Sequence, residues 1–593
     1  MDKREEPNEV DGVADMGAAA ERMAWWREAR FGMFIHWGLY ALPAGVWNGR
    51  DYPGIGEWIF HWADVPEPEY ATLAGQFSPQ RFDAAAWVAL AQAAGMRYLV
   101  ITAKHADGFA MFHSACDGFN IVDATPFGRD PLAELAAACQ RAGLPLGFYY
   151  SQAVDRHHPG GHNAWCVADA PAEAFTDYLA TKVKPQLREL LTGYGPVCLI
   201  WFDNPVGMTP GQSAELRDFV RALQPDCLVS GRIGHGIGDY GSLGDNQLPA
   251  GPVVGDWETP ATLNDTWGYK RNDHNWKSPQ YLLRLLSNCA GKGVNYLLNV
   301  GPTAEGTIPE PSAERLREVG AWMRAHGEAI YGTSANPFGR DFTWGCATGK
   351  PRALYLHLWD WPTGNVMELA GLRSRVEHAR LLSEQPQTLE YTQARDSQSG
   401  RDLLRLTLPA LPPDDHVAII ALDLAGPVET DPLPGQEADG SLVLPAHLAR
   451  LAGPDGMRLG PAGAVEGWTT DSACLTWRAR FHHPGHFRVQ VQSHVDRDRQ
   501  EDFADHLVCV TVGEASVAGL AGRKDLSQDP AVNHWQTVSS EIGALTVDAV
   551  GELEITLRAR RLDPASAQGL TACGLLLLPA GAGESEAGAD PPA

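Results

Sequence analysis

No run of about 18 apolar residues occurs in this 593-residue chain, so no helix that spans a bilayer is expected. The N-terminus, MDKREEPNEVDGVADMG, carries charge but lacks the apolar core of a secretory signal, which makes the cytoplasm the expected location. Positive charge is scarce as well. Lys and Arg number 47 against 73 Asp and Glu, a formal net charge of −26. A chain with that balance repels phosphate backbones and anionic lipid, so neither nucleic acid nor a membrane is an expected partner, and neutral ligands suit it better. The ten cysteines form no C-x-x-C pair, and several lie in apolar runs, the pattern of buried free thiols in a reducing compartment. A glycine-rich phosphate loop, H-E-x-x-H and G-x-S-x-G are all missing, which removes the sequence signatures of several nucleotide-dependent and hydrolytic classes. No metal or organic cofactor is expected. His157, His158 and His162 form the one cluster that looks metal-like, but their loop is rich in Pro and Gly and is read as a substrate-side loop or as having no role.

What the chain does contain is an alternation of short apolar runs with helical patterns. Its length exceeds what one core supports, so several domains are expected. FGMFIHW (31–37), YLVITA (98–103), PLGFYYS (145–151), VCLIWF (197–202) and NYLLNV (295–300) are apolar along their length, as strands covered on both faces are. Amphipathic segments such as DPLAELAAACQRAG lie between them, several opening on Asp or Ser and closing on Gly. This predicts a (β/α) TIM-like barrel over residues 22–335. Thereafter the texture becomes all-β. A small sandwich is expected over 336–430, a Pro/Gly/Asp-rich linker over 431–461, and a second, jelly-roll-like sandwich over 462–580. Residues 1–21 and 581–593 read as disordered tails. The last sandwich is a candidate carbohydrate-binding module with Trp468, Trp477 and Trp535 as platforms, unless those rings pack its core.

In such a barrel the working residues lie at the C-terminal ends of the strands. Here those ends carry His36, His105, Tyr150, Trp201, Asp203, Arg232, Asp239, Asp245 and Glu258, a set rich in carboxylates and aromatic rings. Glycosidic cleavage needs that combination. One carboxylate stabilises or captures C1, a second carboxyl protonates the leaving oxygen, and aromatic faces receive the C–H face of a sugar.

Five segments then carry a family resemblance: WWREARFGMFIHWGLY (25–40), KHADGFAMF (104–112), WFDN (201–204), NDTWGY (264–269) and NYLLNVGPTAEGTIP (295–309). Together they resemble the α-L-fucosidases of glycoside hydrolase family 29, over about residues 22–335. The resemblance implies an exo-acting, retaining hydrolase that removes terminal α-L-fucose from a fucosylated oligosaccharide or glycoconjugate through a covalent glycosyl-enzyme. It implies Asp203 as nucleophile and His36, Glu57, Trp58, His105, Tyr150, Trp201 and Arg232 as sugar-binding residues. It does not exclude a homo-oligomer.

Two departures from the family pattern matter. Many members have two adjacent histidines where this chain has His105-Ala106, and the lost imidazole removes a hydroxyl contact worth about 1–3 kcal/mol. The acid/base position also varies. Gly238-Asp239-Tyr240 is not followed by the T-P-E that some members have; Trp257-Glu258 is present. The expected acid/base is Glu258, with Asp245 as the alternative. The competing readings are an α-L-galactosidase-like hydrolase on the same scaffold and a glycan-binding protein without catalysis.

Overall fold

The computed structural model describes residues 20–395, 401–413, 416–453, 456–496, 504–522, 535–566 and 569–580. Both expected tails lie outside these except residues 20–21, which are helical. The chain forms two compact units. One comprises the chain up to Ser242 with Gly255–Leu282 and Asn295–Gly332; the other comprises Leu243–Val254, Leu283–Val294 and the chain from Thr333.

The first unit is built on a parallel sheet of eight strands, β1 (Phe31–Ile35), β2 (Leu99–Lys104), β3 (Leu146–Ser151), β4 (Leu199–Asp203), β5 (Leu228–Val229), β6 (Gly241–Ser242), β7 (Trp257–Thr262) and β8 (Val294–Val300). Their order is β5-β4-β3-β2-β1-β8-β7-β6, as in a (β/α) barrel. All five long apolar runs became strands. β1, β2, β3 and β8 are buried at every position, which is why they show no alternation in the sequence.

Local signals set the helices. α1 (Ala84–Ala93) and α2 (Pro131–Ala142) start at Asp83 and Asp130, whose carboxylates accept from the third backbone N–H, and α2 stops at Gly143 in the left-handed region. α3 runs from Ala172 through a π turn at Leu179–Val183 to Gly193. α4 (Pro210–Leu223) opens with a Thr209/Gln212 capping box. α5 is Pro279–Gly291 and α6 is Glu310–His326.

The ring closes along a short seam. β5 and β6 have two residues each, and a parallel bridge joins Ser230 to Tyr240. Only a 3-10 turn, Gly231–Ile233, stands between them where a helix would complete the β/α alternation. Asp239 staples the seam. Its N–H donates to Val229 O (2.7 Å), and its carboxylate accepts from Val229 N–H (2.8 Å), Arg22 (2.8 Å) and Arg221 (2.6 Å).

In the second unit, a five-stranded and a three-stranded antiparallel sheet close over Leu356, Leu369, Leu404 and Ile420. Two larger antiparallel sheets follow and share a core of Leu444, Val489, Val510 and Leu575. Trp468 and Trp477 are buried in that core, and their indole N–H groups donate to Thr470 O (3.1 Å) and Pro445 O (2.8 Å). They are packing residues rather than exposed platforms. The side chain of Trp535 lies outside the described residues. The segment read as a linker contains three strands, Leu442–Pro445, Arg450–Ala452 and Arg458–Leu459, which pair into these sheets. Four apolar residues between turn-forming flanks were too short a run to stand out. The loop Leu243–Val254 is tied to the same sandwich, with Ala250 N–H donating to Ala462 O (2.6 Å).

The seam depends on close backbone approach. A Cβ on Gly238 would meet the carbonyl carbon and oxygen of Ser230 at 2.6 Å and Gly231 Cα at 2.7 Å, none of which can swing aside as a side chain would. Gly238→Ala is therefore expected to cost about 1–3 kcal/mol by overpacking. In thermal unfolding the first transition drops by several degrees, whereas Gly118→Ala, where nothing lies within 4 Å, leaves it in place.

Candidate active site

Asp203 ends β4 at the exit side of the barrel, where it lies opposite Ser151 in the sheet register. Three groups hold its carboxylate. Tyr149 Oη donates to Oδ2 (2.8 Å), Asn204 Nδ2 donates to Oδ2 (3.0 Å), and Arg232 lies 3.2 Å from Oδ1. Asn204 takes φ +57°, a left-handed conformation that Asn tolerates better than most residues, and this turns the chain just after the carboxylate. Gln152, fully buried, clamps the pair from behind: its Oε1 accepts from Asp203 N–H (2.9 Å) and its Nε2 donates to Arg232 O (3.1 Å). The Asp203 side chain is 16% exposed, so this ordered anion still faces open space.

Rings extend the site from there. Arg232 lies over the Trp201 indole, 4.8 Å from its centroid, and Tyr149 stacks on the same ring at 5.7 Å. His105 stacks on Tyr149, 5.3 Å away and nearly parallel. His36 stands edge-on to both at 5.3–5.8 Å, and Asn299 Oδ1 lies 2.8 Å from its Nδ1. Burial, reinforced by the neighbouring His36 and Lys104, pushes the His105 imidazole well below its usual pKa, so it is neutral. Among the described residues its buried Nδ1 has no hydrogen-bond partner. A buried polar atom left so is costly unless a ligand completes it. Glu57 and Trp58 follow β1. Glu57 Oε2 accepts from Gly268 N–H (2.8 Å) and Thr266 Oγ1 (3.3 Å), which ties the loop after β7 to this side, and Trp58 stands edge-on to His105 at 5.7 Å.

The structure thus brings His36, Glu57, Trp58, His105, Trp201, Asp203 and Arg232 together, but it moves two expected residues. Tyr150 faces outward and donates to Gln186 Oε1 (2.7 Å) on α3; Tyr149 is the ring at the carboxylate. Successive strand residues point to opposite faces, and reading the doublet one position late selects the wrong ring. Glu258 is the second residue of β7, at the strand's entry end, and is fully buried. Its Oε2 accepts from Tyr98 Oη (2.7 Å) and its Oε1 from Trp201 Nε1 (2.7 Å), so it lies beneath the indole whose face carries Arg232. Enclosed there, it is not placed to deliver a proton to an exposed leaving oxygen. Asp245, the alternative, is half-buried on the loop Leu243–Val254 that follows β6. Trp201 spends its N–H on Glu258 and its faces on Arg232 and Tyr149.

Sequence reasoning missed Tyr149, Gln152 and the ordering role of Asn299. Asp155 is fully buried between Lys104 (3.2 Å) and Lys182 (2.9 Å); burial works to raise its pKa, and the two ammonium groups hold it well below the usual carboxylate range. The three histidines of the neighbouring loop have separate partners: His157 meets Glu67, His158 accepts from Gly160 N–H, and His162 accepts from Ala170 N–H.

An ordered carboxylate among aromatic rings at the exit end of a parallel barrel is the arrangement glycoside hydrolysis draws on. The family described as Alpha-L-fucosidase matches residues 8–328, and the chain belongs to it. The plasma alpha-L-fucosidase of Rattus norvegicus is 30% identical over 420 residues, covering 66% of this chain and 89% of the relative. That of Homo sapiens is 29% identical over 377 residues, covering 59% and 79%. Among solved structures, the alpha-L-fucosidase from Vibrio sp. strain EJY3 matches with a TM-score of 0.81 at 31% identity, covering 94% of this chain and 98% of that one. Alpha-L-fucosidase isoenzyme 1 from Paenibacillus thiaminolyticus matches with a TM-score of 0.62 at 37% identity, covering 69% and 99%.

Burial pushes the Glu258 carboxyl up to about 7, against hydrogen bonds from Trp201 and Tyr98 that pull it down. Its pKa is raised on folding, so between roughly pH 4.5 and 7 the native state keeps a proton that the unfolded state has released, and stability falls as pH rises through that window. Glu258→Gln keeps the shape and removes the titration. Compared with wild type, the variant should gain thermal stability at pH 7.5 relative to pH 5; an unchanged difference between the two pH values would show that Glu258 does not titrate there.

Proposed function

We propose that the protein is a retaining exo-α-L-fucosidase in which Asp203 attacks C1 of a terminal fucose and a second carboxyl group protonates the departing oxygen. The bond from C1 to the leaving oxygen breaks as the bond from C1 to the Asp203 carboxylate forms. That second carboxyl, now ionised, takes a proton from water, whose oxygen displaces Asp203 from C1 and releases fucose with its configuration retained. The observation that carries this reading is the Asp203 carboxylate, fixed by Tyr149 and Arg232 and still open on one side. The unpartnered Nδ1 of His105 and the ring of His36 supply hydroxyl contacts, and the face of Trp58 suits the C5 methyl. The burial of Glu258 argues against it in the second role, which leaves Asp245 as the alternative to test. The ten free thiols suit a reducing compartment, which supports a cytoplasmic setting.

The test uses 4-nitrophenyl α-L-fucoside. Asp203→Ala should lose roughly 1,000-fold or more in kcat/KM. Asp245→Ala should be slow but regain turnover with azide, as a general-base variant does, whereas Glu258→Ala should show no azide rescue. Proton NMR should detect α-fucose first. β-Fucose first would overturn the retaining mechanism, and azide rescue confined to the Glu258 variant would return the acid/base role to that residue. An α-L-galactoside turned over in preference to the fucoside would replace the assigned sugar.

A further inference from the structure

Beyond the fucose pocket, the aromatic wall does not stop at Trp58. Trp165, on the loop after β3, stands edge-to-face with Trp58 at 4.5 Å, and Trp62 lies 5.7 Å from Trp165. His61 fills the angle between them, 5.0 Å from Trp165 and 5.1 Å from Trp62. The series Tyr149, His105, Trp58, Trp165 is therefore one run of ring contacts that begins at the Asp203 carboxylate. Along it exposure changes sharply. Trp58 is 6% exposed, whereas Trp165 is 39% and Trp62 is 37%.

Two large indoles side by side in solvent are costly to keep unless something covers them. These are also held in place. Trp62 Nε1 donates to Ile55 O (3.1 Å), and its ring lies on Gly54, whose φ of +92° and lack of a Cβ make room; an added Cβ would meet the indole at 2.8 Å. Rings fixed before a ligand arrives lose little freedom when one binds. Indole faces suit the C–H face of a pyranose, and neither ring brings a charge that would select an ionic group.

We propose that Trp165 and Trp62 form the subsite for the leaving group, and that this subsite takes a pyranose ring of the glycan to which fucose is attached. The proposal rests on the fucosidase reading above. It makes the enzyme selective for fucosyl oligosaccharides over fucosides with small leaving groups.

The experiment compares two substrates in wild type, Trp165→Ala and Trp165→Phe. α-L-Fucosyl fluoride has no ring to stack. The other substrate is whichever of the α-1,2-, α-1,3-, α-1,4- and α-1,6-linked fucosyl disaccharides the wild type cleaves best. Trp165→Ala should lose roughly tenfold or more in kcat/KM on the disaccharide and stay within about twofold on the fluoride, with Trp165→Phe in between. Equal losses on both substrates would mean that Trp165 only supports the pocket, and an unchanged disaccharide rate would mean that it contacts nothing; either overturns the subsite. Wild type inactive on the fluoride would overturn the fucosidase reading itself, a result separate from both.

Discussion

The hydrogen bond from Trp201 to Glu258 connects the inside of the barrel to its mouth. The indole is held by its N–H at one edge, and its faces take Arg232 and Tyr149, both of which bind the Asp203 carboxylate. Two side chains that orient the nucleophile candidate thus rest on one ring, and that ring rests on a buried carboxyl. A polar group at such depth is expensive, and its two acceptor bonds to Tyr98 and Trp201 are what make the burial tolerable. Its return is directional. Packing alone would let the indole slide, whereas a hydrogen bond at its edge fixes the rotation of the plane.

A second polar network lies beside the pocket and holds loops rather than substrate. Asp155 joins Lys104, next to His105 in the chain, to Lys182 on α3, and Lys182 reaches Asp117 as well. The loop that bears Trp165 leaves the barrel through this cluster. Removing one member would strand an opposite charge without solvent, so the network is of the kind in which single deletions cost more than the whole set contributes. The mouth of the barrel is therefore bounded by polar ties that cannot loosen one at a time.

Much of this was legible before any coordinates. Strands buried on both faces announce themselves as unbroken apolar runs, and β1, β2, β3, β4 and β8 all did so. Helix starts at Asp83, Asp130 and Thr209 follow from capping chemistry that is local to a few residues. The position of Asp203 at a strand end was legible for the same reason. What escaped was direction. Tyr149 and Tyr150 are chemically identical, and only the pleat decides which one faces the barrel interior. Glu258 looked like a strand-end residue because the strand that follows it, rich in Thr and Pro, carries no apolar run, so its entry end passed for an exit. The two lysine partners of buried Asp155 lie 51 and 27 positions away in sequence. Long-range pairing of charges leaves no local trace.

The seam between β5 and β6 has a thermodynamic consequence. A ladder of two-residue strands has few bonds to break, so this is where the barrel is expected to breathe first and where its amides should exchange fastest with solvent. Arg232 lies two residues beyond Ser230, the residue that bridges the seam. On the proposed reading, a sugar held by Arg232 and Asp203 would bind only the closed arrangement and by mass action subtract the open one. A bound sugar would then serve as the missing clasp of the barrel, with occupancy of the site and integrity of the fold as two readings of one equilibrium.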